Sequence, residues 1–165
     1  MRMLQSTEAQ VEPLPRVAMV TRAQARVGLI FRVVPNARCL TCRLYRVCAG
    51  LLRPGGRYKV LAVRRKAHFC PLIRDYMVVV EVEELPLRAA VESKVAVEGV
   101  TLRYERISCN REGCPYYEYC VKTPLMNGER VRVARVMRRI SCPASRHLML
   151  VELLPMASFK GPNKR

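Results

Sequence analysis

Two sets of four cysteines, spaced almost alike, constrain this chain more than any other feature. The first is Cys39, Cys42, Cys48 and Cys70, in the pattern C-x2-C-x5-C-x21-C, with Pro71 directly after the last. The second is Cys109, Cys114, Cys120 and Cys142, in the pattern C-x4-C-x5-C-x21-C, with Pro143 directly after the last. The pairs Cys42 and Cys114, Cys48 and Cys120, and Cys70 and Cys142 share one offset along the chain. Self-similarity at a fixed period marks a repeated supersecondary unit, so the spacing predicts a tandem duplication of one module stapled by its own four cysteines.

The flanks repeat with a slip of a residue or two. Gly28 to Val33 leads into the first set and Gly99 to Tyr104 into the second. After each third cysteine comes a turn signal, Pro54-Gly55-Gly56 or Asn127-Gly128. Alternating basic and apolar runs follow, Arg57 to Leu61 and Arg130 to Ala134, and each Cys-Pro precedes an apolar run, Met77 to Val82 or Leu148 to Leu153. Period-two alternation with β-branched enrichment predicts strands. Only short helical pieces are expected, around Arg43 to Ala49 and Tyr116 to Val121. The fold class is therefore mainly β: two tandem duplicated small β modules, each stapled by four cysteines, with basic terminal extensions. The boundaries are residues 1–22 for an N-terminal extension, 23–86 and 87–154 for the modules, and 155–165 for a basic C-terminal tail.

Modules of this size bury a thin apolar core and commonly rely on a metal or disulfides for the missing stability. The chain has no apolar run of membrane-spanning length, and residues 1–22 lack an apolar stretch suited to a signal peptide. A cytoplasmic protein with no membrane association is expected. Four thiolates are soft ligands suited to zinc or to iron-sulfur clusters. Two metal sites are expected, zinc favoured, with iron-sulfur clusters as the alternative and disulfides also possible. Cys39 to Cys42 has the two-residue knuckle spacing of zinc sites, whereas the cysteine-proline pairs resemble ferredoxin runs, which are more compact than these. His68 and His147 lie near fourth cysteines, where exposed or RNA-facing histidines are the expectation.

The chain carries 30 Lys and Arg against 13 Asp and Glu, for a formal charge of +17. The excess is spread: +2 over residues 1–26, +7 over 27–86, +5 over 87–154 and +3 over 155–165. Arginine outnumbers lysine 24 to 6, favouring bidentate grip on phosphate. Solubility alone needs a net charge of only about 2–8 in a small domain. The expected partner is structured RNA, with rRNA and neighbouring ribosomal proteins foremost and no small-molecule substrate. The expected contacts are Arg57, Lys59, Arg64, Arg65 and Lys66 in one module, Arg130, Arg132, Arg135, Arg138 and Arg139 in the other, and Lys160, Lys164 and Arg165 in the tail. The tyrosines near Cys48 and Cys120 are expected mainly in packing.

The residues Cys39-Leu40-Thr41-Cys42-Arg43-Leu44, Val47-Cys48, Gly56-Arg57-Tyr58-Lys59-Val60 and Cys70-Pro71-Leu72 resemble the archaeal uncharacterised protein family 0179. The resemblance continues through Gly99-Val100-Thr101-Leu102, Cys114-Pro115-Tyr116 and Cys120, covering roughly residues 23–154. It implies an archaeal, intracellular source, and twin cysteine clusters of the kind suggested as iron-sulfur redox centres. The N-terminal extension and heavy arginine load depart from a compact redox carrier. Catalytic constellations are scarce: Asp75 is the only aspartate, and there is no P-loop or G-x-G-x-x-G after a strand. Glu81, Glu83 and Glu84 cluster after the first Cys-Pro, where alternation puts Glu81 and Glu83 on one face that reads as a solvated strand edge. An architectural RNA-binding protein, ribosomal or ribosome-associated, is the expectation; the alternative is an iron-sulfur electron-transfer or redox-sensing protein.

Overall fold

Val131 and Val133 are fully buried while Arg130 and Arg132 face solvent, the alternation that makes a half-buried strand. The same pattern, with Tyr58 and Val60 inward, starts the equivalent strand of the first half. In the computed structural model, residues 15–34, 36–157 and Phe159 are described. They form strands β1 (Arg16–Thr21), β2 (Ile30–Arg32), β3 (Arg57–Cys70) and β4 (Asp75–Glu84), then β5 (Leu87–Glu92), β6 (Thr101–Arg103), β7 (Arg130–Ser141) and β8 (His147–Pro155). Two one-turn helices, α1 (Tyr45–Cys48) and α2 (Tyr117–Cys120), interrupt them. The protein is mainly β, in two four-stranded antiparallel sheets of order β1-β4-β3-β2 and β5-β8-β7-β6.

The sheets match bond for bond. Gly28 N–H donates to Val60 O and Gly99 N–H to Val133 O; Gly55 N–H donates to Val33 O and Gly128 N–H to Tyr104 O. Each sheet is bulged twice along its long hairpin, at Leu61 and Ala134 and again beyond Val63 and Val136. An extra residue re-aims the strand, which keeps Arg135 outside although strict alternation from Val133 would turn it inward. Each sheet packs one face into its own core. Ala18, Val20, Leu52, Tyr58, Val60, Val80 and Val82 fill the first. Leu87, Ala89, Tyr104, Leu125, Val131, Val133, Val151 and Leu153 are among those that fill the second.

Two expectations need correction. Residues 16–21 are not extension but the edge strand β1, paired with β4 from Arg16 opposite Val82 to Thr21 opposite Met77. Val17-Ala18-Met19-Val20 is too short and too little alternating to announce a strand; its burial against β4 makes it one. Glu81 and Glu83 are half-buried rather than on a solvated edge, because β4 lies between β1 and β3; Glu84 beside them is only 7% exposed. The rest of the expected extensions lies outside the described residues, Pro15, Arg22, residues 155–157 and Phe159 excepted. No helix among the described residues is long and apolar enough to cross a membrane.

The turns before β3 and β7 have the type II signature. Gly56 N–H donates to Arg53 O with Gly55 at φ 76°, and Glu129 N–H donates to Met126 O with Gly128 at φ 82°. Gly56 is needed for space: an added Cβ would stand 2.9 Å from Arg53 O and 3.1 Å from Tyr58 Cε2. Gly56→Ala should therefore cost about 1–3 kcal/mol by overpacking. Urea unfolding checks it, with an unchanged midpoint as the contrary result.

Candidate metal centres and nucleic-acid surface

Capping and strand ends bring each cysteine set together. Asn36 Oδ1 accepts from Arg38 N at 3.0 Å and starts a 3₁₀ turn, Ala37–Thr41, that carries Cys39; Cys42 closes it, donating its N–H to Cys39 O. Cys48 ends α1, where a tight return requires Gly50, since a Cβ there would stand 2.9 Å from Tyr45 O. Cys70 is the last residue of β3. All four line one cavity of about 210 Å³ together with Arg38 and His68. Burial first, then the neighbouring thiols, pushes the Cys48 thiol up to about 11. Cys39 is raised by the same causes, burial and then Cys70 and Cys42.

The second set is more enclosed. Cys109, Cys114, Cys120 and Cys142 line a cavity of about 20 Å³ that also meets Arg111 and Arg146. Cys120 is buried against Ala90, Ile107, Ile140, Leu148 and Leu150, with Cys109 and Cys142 packed on the same cluster. Burial, then Cys114, Cys142 and Cys109, pushes the Cys120 thiol up to about 11. Cys142 goes the other way: the backbone N–H of Arg146 and that of Ala144 donate to its sulfur and lower its pKa. Pro143 supplies no N–H of its own, so the chain offers its donors from beyond the proline.

All eight cysteines are free thiols. Among the described residues no three His, Cys, Asp or Glu side chains already stand as a metal-ion cage. The donor set nevertheless fits one. In each half four thiols share one cavity, and neighbouring thiols add to burial in raising Cys39, Cys48 and Cys120, an opposition to negative charge that a cation among them would relieve. Arginines beside each set would offset the excess charge of four thiolates around a divalent ion. Cys39, Cys42, Cys48 and Cys70 could hold one metal and Cys109, Cys114, Cys120 and Cys142 another. His68 lines the first cavity; His147 meets Arg139 at 3.2 Å instead.

The expected RNA contacts lie along β3 and β7. Arg57, Arg64, Arg65, Lys66, Arg130, Arg132, Arg135, Arg138 and Arg139 are exposed, and Lys59 is half-buried. Glu81 holds Arg64 at 2.8 Å, and the ring of Tyr116 lies 5.4 Å from the Arg138 guanidinium. Lys160, Lys164 and Arg165 lie outside the described residues. Tyr58 is core, and Tyr116 and Tyr119 pack on the second cysteine cluster.

Sequence reasoning missed Arg53, 1% exposed at the junction of the halves. Its Nε donates to Glu84 Oε1 at 2.7 Å, Nη1 to Glu129 Oε2 at 2.9 Å, and Nη2 to Glu129 Oε1. Arg16 also pairs with Glu84, at 3.2 Å. Burial would lower the Arg53 pKa, but the hydrogen bonds to Glu129 and Glu84 outweigh it and raise it. The only advance signal was a pattern break: Arg53 stands where the matching turn has Met126.

A model described as an uncharacterised protein family, UPF0179, matches residues 16–153. The chain belongs to this family. The UPF0179 match starts on the first residue of β1 and takes in both sheets and both cysteine sets. The chain is 36% identical over 119 residues to the UPF0179 protein of Methanocaldococcus jannaschii, 70% of this chain and 79% of that one. It is 40% identical over 129 residues to that of Pyrobaculum neutrophilum, 76% and 73% of the two chains. For Methanosarcina acetivorans the figure is 32% over 142 residues, 84% and 95%. These relatives are archaeal. No solved structure matches the chain.

Proposed function

We propose that this UPF0179 protein is an architectural RNA-binding protein, a component of or factor on the ribosome, whose two cysteine sets hold metal as staples of a duplicated β module. The observation that carries the RNA reading is β7, where five arginines from Arg130 to Arg139 are all exposed, Arg130, Arg132, Arg135 and Arg138 on one face and Arg139 on the other. At about 3.3 Å per residue the stretch from Arg130 to Arg139 runs roughly 30 Å. Among the described residues none of the five forms an ion pair with a carboxylate. Like charges this dense repel until a polyanion neutralises them, and a guanidinium fork suits phosphate oxygens. β3 adds Arg57, Lys59, Arg65 and Lys66 on the matching strand.

The metals would act on folding rather than on a reaction, which is what zinc, without redox chemistry, supplies. The second cavity, about 20 Å³, exceeds only slightly the roughly 10–15 Å³ that one water-sized occupant needs. That favours a single ion there. The larger first cavity and the N–H donors on Cys142 favour a second reading, iron-sulfur clusters in an electron-transfer or redox-sensing protein.

Titrating a labelled rRNA-derived hairpin with wild-type protein and with Arg132→Glu/Arg135→Glu tests the RNA reading. The wild type should lose about 10³–10⁵ in affinity between roughly 50 and 200 mM salt if it covers 6–10 phosphates. The reversed pair should bind at least about tenfold more weakly, since each charge-assisted contact is worth about 1.5–3 kcal/mol. Equal affinity for the two proteins removes β7 as the RNA face. Cosedimentation with one ribosomal subunit through a high-salt gradient would separate a stable component from non-specific charge.

A further inference from the structure

We infer that the groove where the two halves meet is a phosphate-binding cleft that takes the backbone of a single RNA strand. It is lined by Arg32 and Arg57 from the first half and by Arg88, Glu118, Tyr119 and Lys122 from the second. The inference rests on the RNA-binding reading above and assigns it a second, separate contact. Four cations face one carboxylate. Arg88 reaches Glu152 only at 3.8 Å, and among the described residues Arg32, Arg57 and Lys122 have no ion pair.

The placement of Arg32 and Arg57 points most directly to an anion. They stand directly opposite each other on β2 and β3, both exposed, and like charges in that position destabilise a sheet. The matching pair in the second half, Arg103 opposite Arg130, is also a double arginine. There, however, Arg103 Nη1 donates to Gly128 O at 3.3 Å. Arg32 has no such internal acceptor among the described side-chain bonds, and the pair opens into the groove instead. A phosphate between the two guanidinium groups would turn their repulsion into two charge-assisted contacts.

Continuity chooses RNA over an acidic peptide. Arg57 begins β3, whose Lys59, Arg65 and Lys66 carry positive charge onward from the mouth of the groove. Tyr119 supplies an aromatic wall on which a base or sugar can rest. The two walls are held at their distance by contact between the halves: a Cβ added at Gly55 would stand 3.2 Å from Pro124 Cγ, and Arg53 Nη1 donates to Pro124 O at 3.4 Å. A cleft built by both halves needs both in register.

Binding of a fluorescein-labelled RNA hairpin with a single-stranded flank, followed by anisotropy across a salt series, tests this with the full chain. The variants are Arg32→Ala/Lys122→Ala for the groove and Arg132→Glu/Arg135→Glu for β7. The groove variant should bind about tenfold more weakly, because each lost phosphate contact removes a charge-assisted bond. Its plot of log affinity against log salt should flatten by about 1.4, given roughly 0.7 per contact on a single strand. Its Tm should hold or rise, since a repulsive pair is relieved, and ultraviolet crosslinks to wild type should map to the peptide carrying Tyr119. A groove variant with the wild-type slope, beside a β7 variant that loses affinity, overturns the cleft and leaves the RNA reading intact. No binding of RNA by wild type at any salt overturns both. Polyglutamate displacing the hairpin as well as unlabelled RNA does would give the cleft to an acidic protein and overturn the inference.

Discussion

Arg53→Ala is expected to destabilise the protein by about 3–5 kcal/mol, the usual consequence of removing one partner from a buried ion pair. Glu84 and Glu129 are 7% and 14% exposed and would be left facing each other without their shared cation. For a chain of this size that corresponds to a fall in Tm of very roughly 6–20 °C. The matching positions in the second sheet show what is at stake. Where the first half has Arg16, Arg53, Tyr58 and Glu84, the second has Leu87, Met126, Val131 and Pro155. A sheet of this topology therefore closes without the ionic cluster, whose distinctive contact is Glu129 across the junction. Arg53→Met with Glu129→Gln should recover most of the lost stability, because Glu84 keeps Arg16 as its partner and no charge is then stranded. Proteolysis near Leu85-Pro86 should accelerate in Arg53→Ala and not in the double variant. An Arg53→Ala protein with wild-type Tm would show that water reaches these carboxylates and that the cluster does not clamp the halves.

Removing the metals proposed for the two cysteine sets should have the larger effect. Structural zinc contributes an apparent folding free energy of about 10–16 kcal/mol in small zinc-finger peptides, against about 2–4 kcal/mol for a disulfide. Protein purified anaerobically should carry one metal site per cysteine set, and a strong chelator should collapse the cooperative thermal transition, with zinc restoring it. Cys114→Ser should halve the metal content while leaving the first site loaded. Cys114 is the cleaner choice because it is only half-buried. Serine at Cys120 would also place a hydroxyl among Ile107, Ile140, Leu148 and Leu150 and confuse packing with ligation. Metal analysis and colour read the occupant: zinc leaves the protein colourless, and brown protein moves the weight to the redox reading. Metal-free protein with eight titratable thiols and an unchanged Tm would end the metal reading.

The strands were legible because their signal is local. Val131 and Val133 between Arg130 and Arg132 declare one buried and one solvated face, and Pro54-Gly55 and Asn127-Gly128 declare the turns. The short helices could be placed within two residues of α1 and α2 for the same reason. β1 was not legible. Nothing in Val17 to Val20 outweighs the polar residues before it, and it becomes a strand only because the edge of β4 offers hydrogen bonds and a core to cover. The bulges at Leu61 and Ala134 were also hidden, since an extra residue in one strand has meaning only against its partner.

The candidate sites divide along the same line. By itself the sequence determined the eight cysteines, their grouping by fours, the mainly β class and the excess of arginine, because composition, spacing and period are properties of one chain read in order. Tertiary structure alone decided which cations are spent inside and which are offered outside. Arg53 and Arg57 are one short turn apart and indistinguishable by composition, yet one is locked between two glutamates and the other stands beside Arg32 on one wall of an open groove. The difference comes from Glu84 and Glu129, 31 and 76 residues beyond Arg53. A charge's energy depends on what surrounds it in space, and folding sets those surroundings.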